Sequence, residues 1–163
     1  MDETPWVYAT DVVRVFPDHA GSVIWFSEPL PYAETHLTPD LIAQLEDWER
    51  QYYAALDADL RWCPSASLHY FSARGLELAR AVSVELGPRL AVEYRSFEDR
   101  EAVARLRNEH PATNSAAEAA FLERADRARA DWAEARARLA ARPDATPGWY
   151  ARSQSSGAIF RPQ

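Results

Sequence analysis

Between Pro64 and Leu86 the chain carries apolar residues on two sides of one helical repeat, and no other stretch constrains the fold as much. Leu68, Phe71, Gly75, Leu78, Ala79, Val82 and Leu86 recur at helical spacing and share an inner face. Leu76 and Val84 leave the outer side partly apolar as well. Such a helix has to be covered on both sides, so the pattern predicts one sandwiched between other elements. Gly75 costs such a helix about 1 kcal/mol relative to Ala, which predicts another backbone packed closely there. Gly87-Pro88 supplies a stop, with Gly at the position after the helix and Pro behind it. Leu90-Ala91-Val92-Glu93-Tyr94-Arg95 then alternates in its second half and reads as a strand.

The rest of the chain supplies what could cover that helix. Val12-Val13-Arg14-Val15-Phe16 and Val23-Ile24-Trp25-Phe26 are rich in β-branched residues and flank a turn composition at 17–22, which predicts a β-hairpin. A proline-bearing loop follows. Thr38 as N-cap, Pro39 at the first helical position and Asp40 in the first turn then open a helix whose Leu41, Leu45, Trp48, Tyr52 and Leu56 form one stripe. Ser96 and Asp99 predict the cap of a short helix over about 97–108, closed by His110-Pro111. The longest helix runs from a cap at Asn114 or Ser115 to about Ala141. Its Phe121, Ala125, Ala128, Trp132, Ala135 and Leu139 make a heptad seam, which is either a core stripe or a route to a homodimer through 115–141. The expected architecture is a helix-rich α+β fold. It has an N-terminal hairpin and a third strand packed against two to four helices, and it ends in a long helix. Residues 1–143 are expected to form one domain, and 144–163 a tail that packs on the body or is partly disordered.

Several chemistries are unsupported. All 18 basic residues of the 163 are Arg, so Schiff-base catalysis and a P-loop lysine are excluded. The five glycines form neither G-x-G-x-x-G nor a Walker loop, and no G-x-S-x-G elbow occurs. His19, His36, His69 and His110 each stand alone, so no metal site and no cofactor is expected. Cys63, the single cysteine, reads as a small side chain at a loop-to-helix junction or as a nucleophile near a helix start; no neighbouring His favours the second. The N-terminus has no basic or apolar signal region, and no apolar run approaches the roughly 20 residues that span a bilayer. A cytoplasmic protein without membrane contact is expected. Arginines of the last helix are interleaved with acids, so no stripe for nucleic acid results.

Charge placement is informative where motifs are not. The chain carries 25 acidic and 18 basic residues, net −7. Residues 1–60 hold 12 acids and two arginines, net −10, and the remainder is net +3. The hairpin, the Leu37-Thr38-Pro39-Asp40-Leu41 start, Arg61-Trp62, Gly75-Leu76 through Glu85-Leu86-Gly87, and Val92-Glu93-Tyr94 together resemble small uncharacterised actinobacterial proteins. Some of these look like immunity proteins that accompany polymorphic toxins. The resemblance covers about residues 12–95 and implies a protein-binding inhibitor without catalytic residues. Joined to the charge, it points to a partner with a basic cleft, such as a nuclease toxin. The candidate contact set is Glu28, Glu34, Asp40, Glu46, Asp47 and Asp57, with Trp25, Tyr32 and Tyr53 as aromatic anchors. Two alternatives stand beside it. One is a ligand-binding protein or enzyme with a pocket lined by Trp25, Trp48, Tyr52 and Trp62, with His36 or His69 as acid or base. The other is a dimeric structural subunit.

Overall fold

A computed structural model describes residues 10–18, 20–26, 28–63 and 66–141, and the backbone of 151–152 and 159–160. The chain forms two compact units, 1–126 and 127–163. In the first, strands β1 (Val12–Val15), β2 (Ile24–Trp25), β3 (Ala91–Arg95) and β4 (Val103–Leu106) make a four-stranded sheet of order β2-β1-β3-β4. Helices α1 (Tyr32–Thr35), α2 (Pro39–Ala54) and α3 (Leu68–Leu86) lie between the strands in sequence, and α4 (Ser115–Ala140) begins in this unit and continues into the second. The expected α+β fold is present. β1 and β2 pair antiparallel as the hairpin, and β3 joins β1 in parallel. The crossover between those parallel strands is the pair α2 and α3, as a parallel pair requires.

α3 packs against α2 and against β3 and β4. Trp48 of α2 and Tyr94 of β3 both meet its inner face at Gly75, while on the outer side Leu76 is half-buried and Val84 is 43% exposed, so the cover predicted for that side is only partial. It starts at Leu68 rather than Pro64, because the Ser67 side chain accepts a hydrogen bond from the Tyr70 amide and so caps it there. Gly75 is indeed a point of close approach, but what comes close is two aromatic side chains rather than a backbone. A Cβ at this position would lie 2.5 Å from Cζ2 of Trp48 and 2.6 Å from the Tyr94 hydroxyl oxygen. Trp48 is fully buried, stacks on Phe71 at 4.8 Å between ring centroids, and donates its Nε1 hydrogen to the Phe71 carbonyl at 3.1 Å. Tyr94 donates its hydroxyl hydrogen to the Ser72 carbonyl at 2.9 Å, and burial pushes its phenol up to about 12.

The helix expected over 97–108 is instead a turn and the edge strand β4. The same polar residues that suggest a cap close a tight turn: Ser96 Oγ accepts from the Asp99 amide at 3.1 Å, and Asp99 Oδ1 from the Glu101 amide at 3.1 Å. Ser and Asp serve both roles because each uses the same local side-chain to backbone bond. The Ser96 amide then donates to the Ala102 carbonyl, and Val103–Leu106 pairs antiparallel with β3. One helical turn, α1, also forms inside the proline loop.

A buried carboxylate ties three helices together. Glu85, near the end of α3, accepts hydrogen bonds from the Thr38 amide at 3.0 Å, the Thr38 hydroxyl at 2.5 Å and the Asn114 side-chain amide at 2.9 Å. Thr38 is the N-cap of α2, and Asn114 precedes α4 and accepts from the Ala117 amide at 3.1 Å. One carboxylate thus sits at two helix N-termini, where the helix dipoles favour negative charge.

The heptad seam serves two different environments. Ala117, Phe121 and Ala125 are fully buried, with Phe121 against Phe26 at 6.4 Å. Beyond residue 128 the described side chains of α4 are exposed, Trp132 at 44%. Glu134 and Arg138 form an i, i+4 pair at 2.5 Å. In the second unit Ala151–Arg152 (β5) pairs antiparallel with Ile159–Phe160 (β6). In the tail, the side chains of Trp149, Tyr150, Ile159 and Phe160, which read in the sequence as its apolar anchors, lie outside the described residues.

Candidate protein-binding surface

The exposed side of α2 meets the β1–β2 turn and α1 around one carboxylate, Glu49. It is only 9% exposed although it lies on a polar helix, and Tyr53, one helical turn on, donates its hydroxyl hydrogen to Oε1 at 3.4 Å. Burial raises the Glu49 carboxyl above its usual range, and the neighbouring Glu46 charge adds to this against the Tyr53 hydrogen bond. Tyr32 reaches in from α1, its hydroxyl oxygen accepting from the Val23 amide at 3.3 Å. Burial, with the charges of Glu49 and Glu46, pushes its phenol up to about 12. Tyr53 is likewise raised, by burial first and then by the charges of Glu49 and Asp18. Glu46 and Glu49 form no ion pair with any described residue. Two tyrosines are therefore embedded in negative charge, an environment that favours an approaching cation.

Of the nine candidate contact residues, Tyr32, Glu46 and Tyr53 belong to this cluster. Asp40 is exposed at the start of α2 and Glu28 is exposed beside the hairpin. Glu34 pairs with Arg124 of α4, and Asp47 with Arg50 at 2.9 Å and Gln51 at 2.7 Å. Asp57 builds the turn after α2, accepting from the Asp59 and Arg61 amides at 2.9 Å and pairing with the Arg61 side chain. Trp25 lies on the sheet, stacked on Phe16 at 4.8 Å. The contact set omitted Glu49 and Asp18. Glu49 is three residues after Glu46 and four before Tyr53, so its helical neighbours were visible in the sequence; the approach of Tyr32 and Asp18 was not.

The aromatic residues of the alternative pocket are placed differently. Phe71 stacks on buried Trp48, and the half-buried Tyr52, Trp62 and Phe97 pack ring against ring around Phe71, with Trp62–Phe71 at 5.0 Å and Phe71–Phe97 at 5.1 Å, so they form one aromatic cluster at the edge of the core. His36 is exposed in left-handed backbone after α1, and His69 is exposed and pairs with Glu98 at 3.0 Å. Among the described residues no three of His, Cys, Asp and Glu group as metal ligands, and no helix is long and apolar enough to cross a membrane.

Residues 11–97, just over half of the chain, match the family model described as Serratia CdiI immunity protein-like. The chain belongs to this family. An immunity or inhibitor-type role in binding another protein goes with membership of the CdiI immunity protein-like family. No curated protein and no solved structure matches the chain. The family match runs from the start of the hairpin through β3 and contains every residue of the Glu49 cluster. β4 and α4 lie beyond it.

The Glu49 environment makes a stability prediction with a definite sign. A carboxyl raised in the folded state contributes stability that is present below its ordinary value of 4.5 and is lost as pH rises through its folded value. Glu49→Gln, which mimics the protonated form and keeps an acceptor for Tyr53, will raise the melting temperature at pH 7. Below pH 4.5 it will leave it unchanged. Thermal denaturation at the two pH values checks this, and an equal shift at both contradicts it.

Proposed function

We propose that the protein neutralises a toxin by covering a basic surface of it with the α2 face, with Tyr32 and Tyr53 as anchors and Asp18, Glu46 and Glu49 supplying the charge. The observation that carries this reading is the Glu49 cluster: Glu46 and Glu49, which form no ion pair among the described residues, set beside the two half-buried tyrosines Tyr32 and Tyr53. Family membership supports a protein partner, and the charge supports its basic character. The same field that holds the complex also steers its encounter, so association is expected to be fast at low salt. Asp40 extends the negative surface along α2, while the acids already paired with arginine, Glu34, Asp47 and Asp57, contribute less. A nuclease that handles phosphates is the kind of toxin such a surface would block, and the compartment where both meet is the cytoplasm.

The test takes the product of the neighbouring gene as the candidate toxin. Glu46→Arg with Asp47→Arg changes two exposed residues and will weaken the complex by about tenfold or more, chiefly through slower association that depends on salt. Tyr53→Ala will act mainly on dissociation. Biosensor kinetics across a salt series reads both effects, together with growth protection in cells expressing the toxin. Unchanged association by the double reversal rules out the α2 face as the contact.

A further inference from the structure

The sheet presents a surface of opposite character. Strand register places Trp25, Arg14, Glu93 and Arg105 side by side across β2, β1, β3 and β4. Paired residues share a face, and so do residues two apart along a strand, which adds Arg95 to the same face and, just past the end of β1, Phe16. The Glu93 carboxylate is the one acid in this row. Its Oε1 lies 3.4 Å from Arg14 Nε and its Oε2 3.1 Å from Arg105 Nη2, so a single negative charge serves two guanidinium groups. Arg95 and Arg100 are exposed and make no ion pair with any described residue. A groove of about 410 Å³ is lined by Arg14, Phe16, Glu93, Arg95, Phe97 and Arg100 among its residues. Phe16 is held in place by its stack on Trp25, whose Nε1 donates to the Phe16 carbonyl at 3.1 Å.

Three arginines against one carboxylate leave the groove with a net positive charge. Guanidinium groups in this state bind oxyanions, carboxylates among them, through two parallel hydrogen bonds. A small free anion would engage the arginines and leave the aromatic wall wet. A peptide segment with an acid next to an apolar residue uses both. We infer that this groove is a second contact surface that receives an acidic, apolar-flanked segment of the protein partner, with a carboxylate at Arg95 and Arg100 and its neighbour against Phe16 and Phe97. The inference rests on the protein-binding role above. Because the groove and the α2 face have opposite charge, the two together read two oppositely charged parts of one partner and reject a partner presented in the wrong orientation.

The test needs no toxin. The full-length isotope-labelled protein is titrated with a capped hexapeptide alternating glutamate with leucine and phenylalanine, followed by NMR. Shifts are expected at Arg95, Ser96, Phe97 and Arg100 and not at Glu46 or Tyr53. Arg95→Glu with Arg100→Glu, both exposed, will weaken the peptide by about tenfold or more, and the corresponding double Lys variant will fall between. A lysine version of the peptide will leave the groove unperturbed. Absence of groove shifts, equal binding by the reversed variant, or the same shifts from sodium acetate or phosphate alone, meaning an adventitious ion only, overturns the inference. Such a failure leaves the α2 face untouched, just as a failure of the Glu46 and Asp47 reversal leaves the groove untouched.

Discussion

Gly75→Ala will destabilise the protein by about 3 kcal/mol, the upper end for adding one methyl to a filled core. The new Cβ would stand 2.5 Å from Trp48 Cζ2 and 2.7 Å from Tyr94 Cε2. Neither ring can yield cheaply. Trp48 is held by its stack on Phe71 and its bond to the Phe71 carbonyl, and Tyr94 by its bond to the Ser72 carbonyl. The helix-propensity gain of Ala over Gly, about 1 kcal/mol, opposes this and is outweighed. Chemical denaturation measures the net effect. Pairing Gly75→Ala with Trp48→Phe, which removes the Cζ2 clash, will recover part of the loss, so the two changes will be non-additive. A stability-neutral Gly75→Ala would show that the rings do not lock on this glycine.

Removing the Glu85 carboxylate is the second large effect. Glu85→Ala deletes three hydrogen bonds to a charged acceptor and leaves the Thr38 amide and the Asn114 side chain without it, at a cost of about 3 kcal/mol. Glu85→Gln will cost about 1 kcal/mol, because the amide oxygen can take the two N–H donors while its NH₂ group donates to a reversed Thr38 hydroxyl. What Gln loses is the negative charge at the starts of α2 and α4. Denaturant midpoints in the order wild type, Gln, Ala check the assignment. An Ala variant no weaker than the Gln variant contradicts it. The clamp also bears on function, since it sets where α2 begins and thereby where its binding face points.

The helices were legible because their signals are local. Thr38-Pro39 opens α2, Gly87 closes α3, and the inner apolar stripe of α3 is the face that packs against α2 and β3. The segment 97–108 was misread because its evidence was ambiguous: a Ser and an Asp three residues apart stabilise a helix start or a turn equally well, and only pairing with β3 selects the strand. Glu85 gave no signal of its own. Its partners are 47 and 29 residues away, and a Glu in an apolar helix is also compatible with an exposed position.

The charge asymmetry shows the same division. That residues 1–60 carry net −10 is a property of composition, independent of any fold. Which of those charges stay uncompensated is not. Arginines beyond residue 60 reach back to Asp11, Glu34 and Asp57, while Glu46 and Glu49 receive none among the described residues. In the other direction, Arg95 and Arg100 sit among the acids Glu93, Glu98, Asp99 and Glu101 in sequence, yet the strand and turn leave them beside a groove without an ion pair among the described residues. Amino-acid order determined the local elements and the supply of charge, because helix caps, stops and periodicity act over a few residues. Tertiary structure decided which charges face each other, because an ion pair or a desolvated carboxylate depends on distances of a few ångströms between residues far apart in the chain.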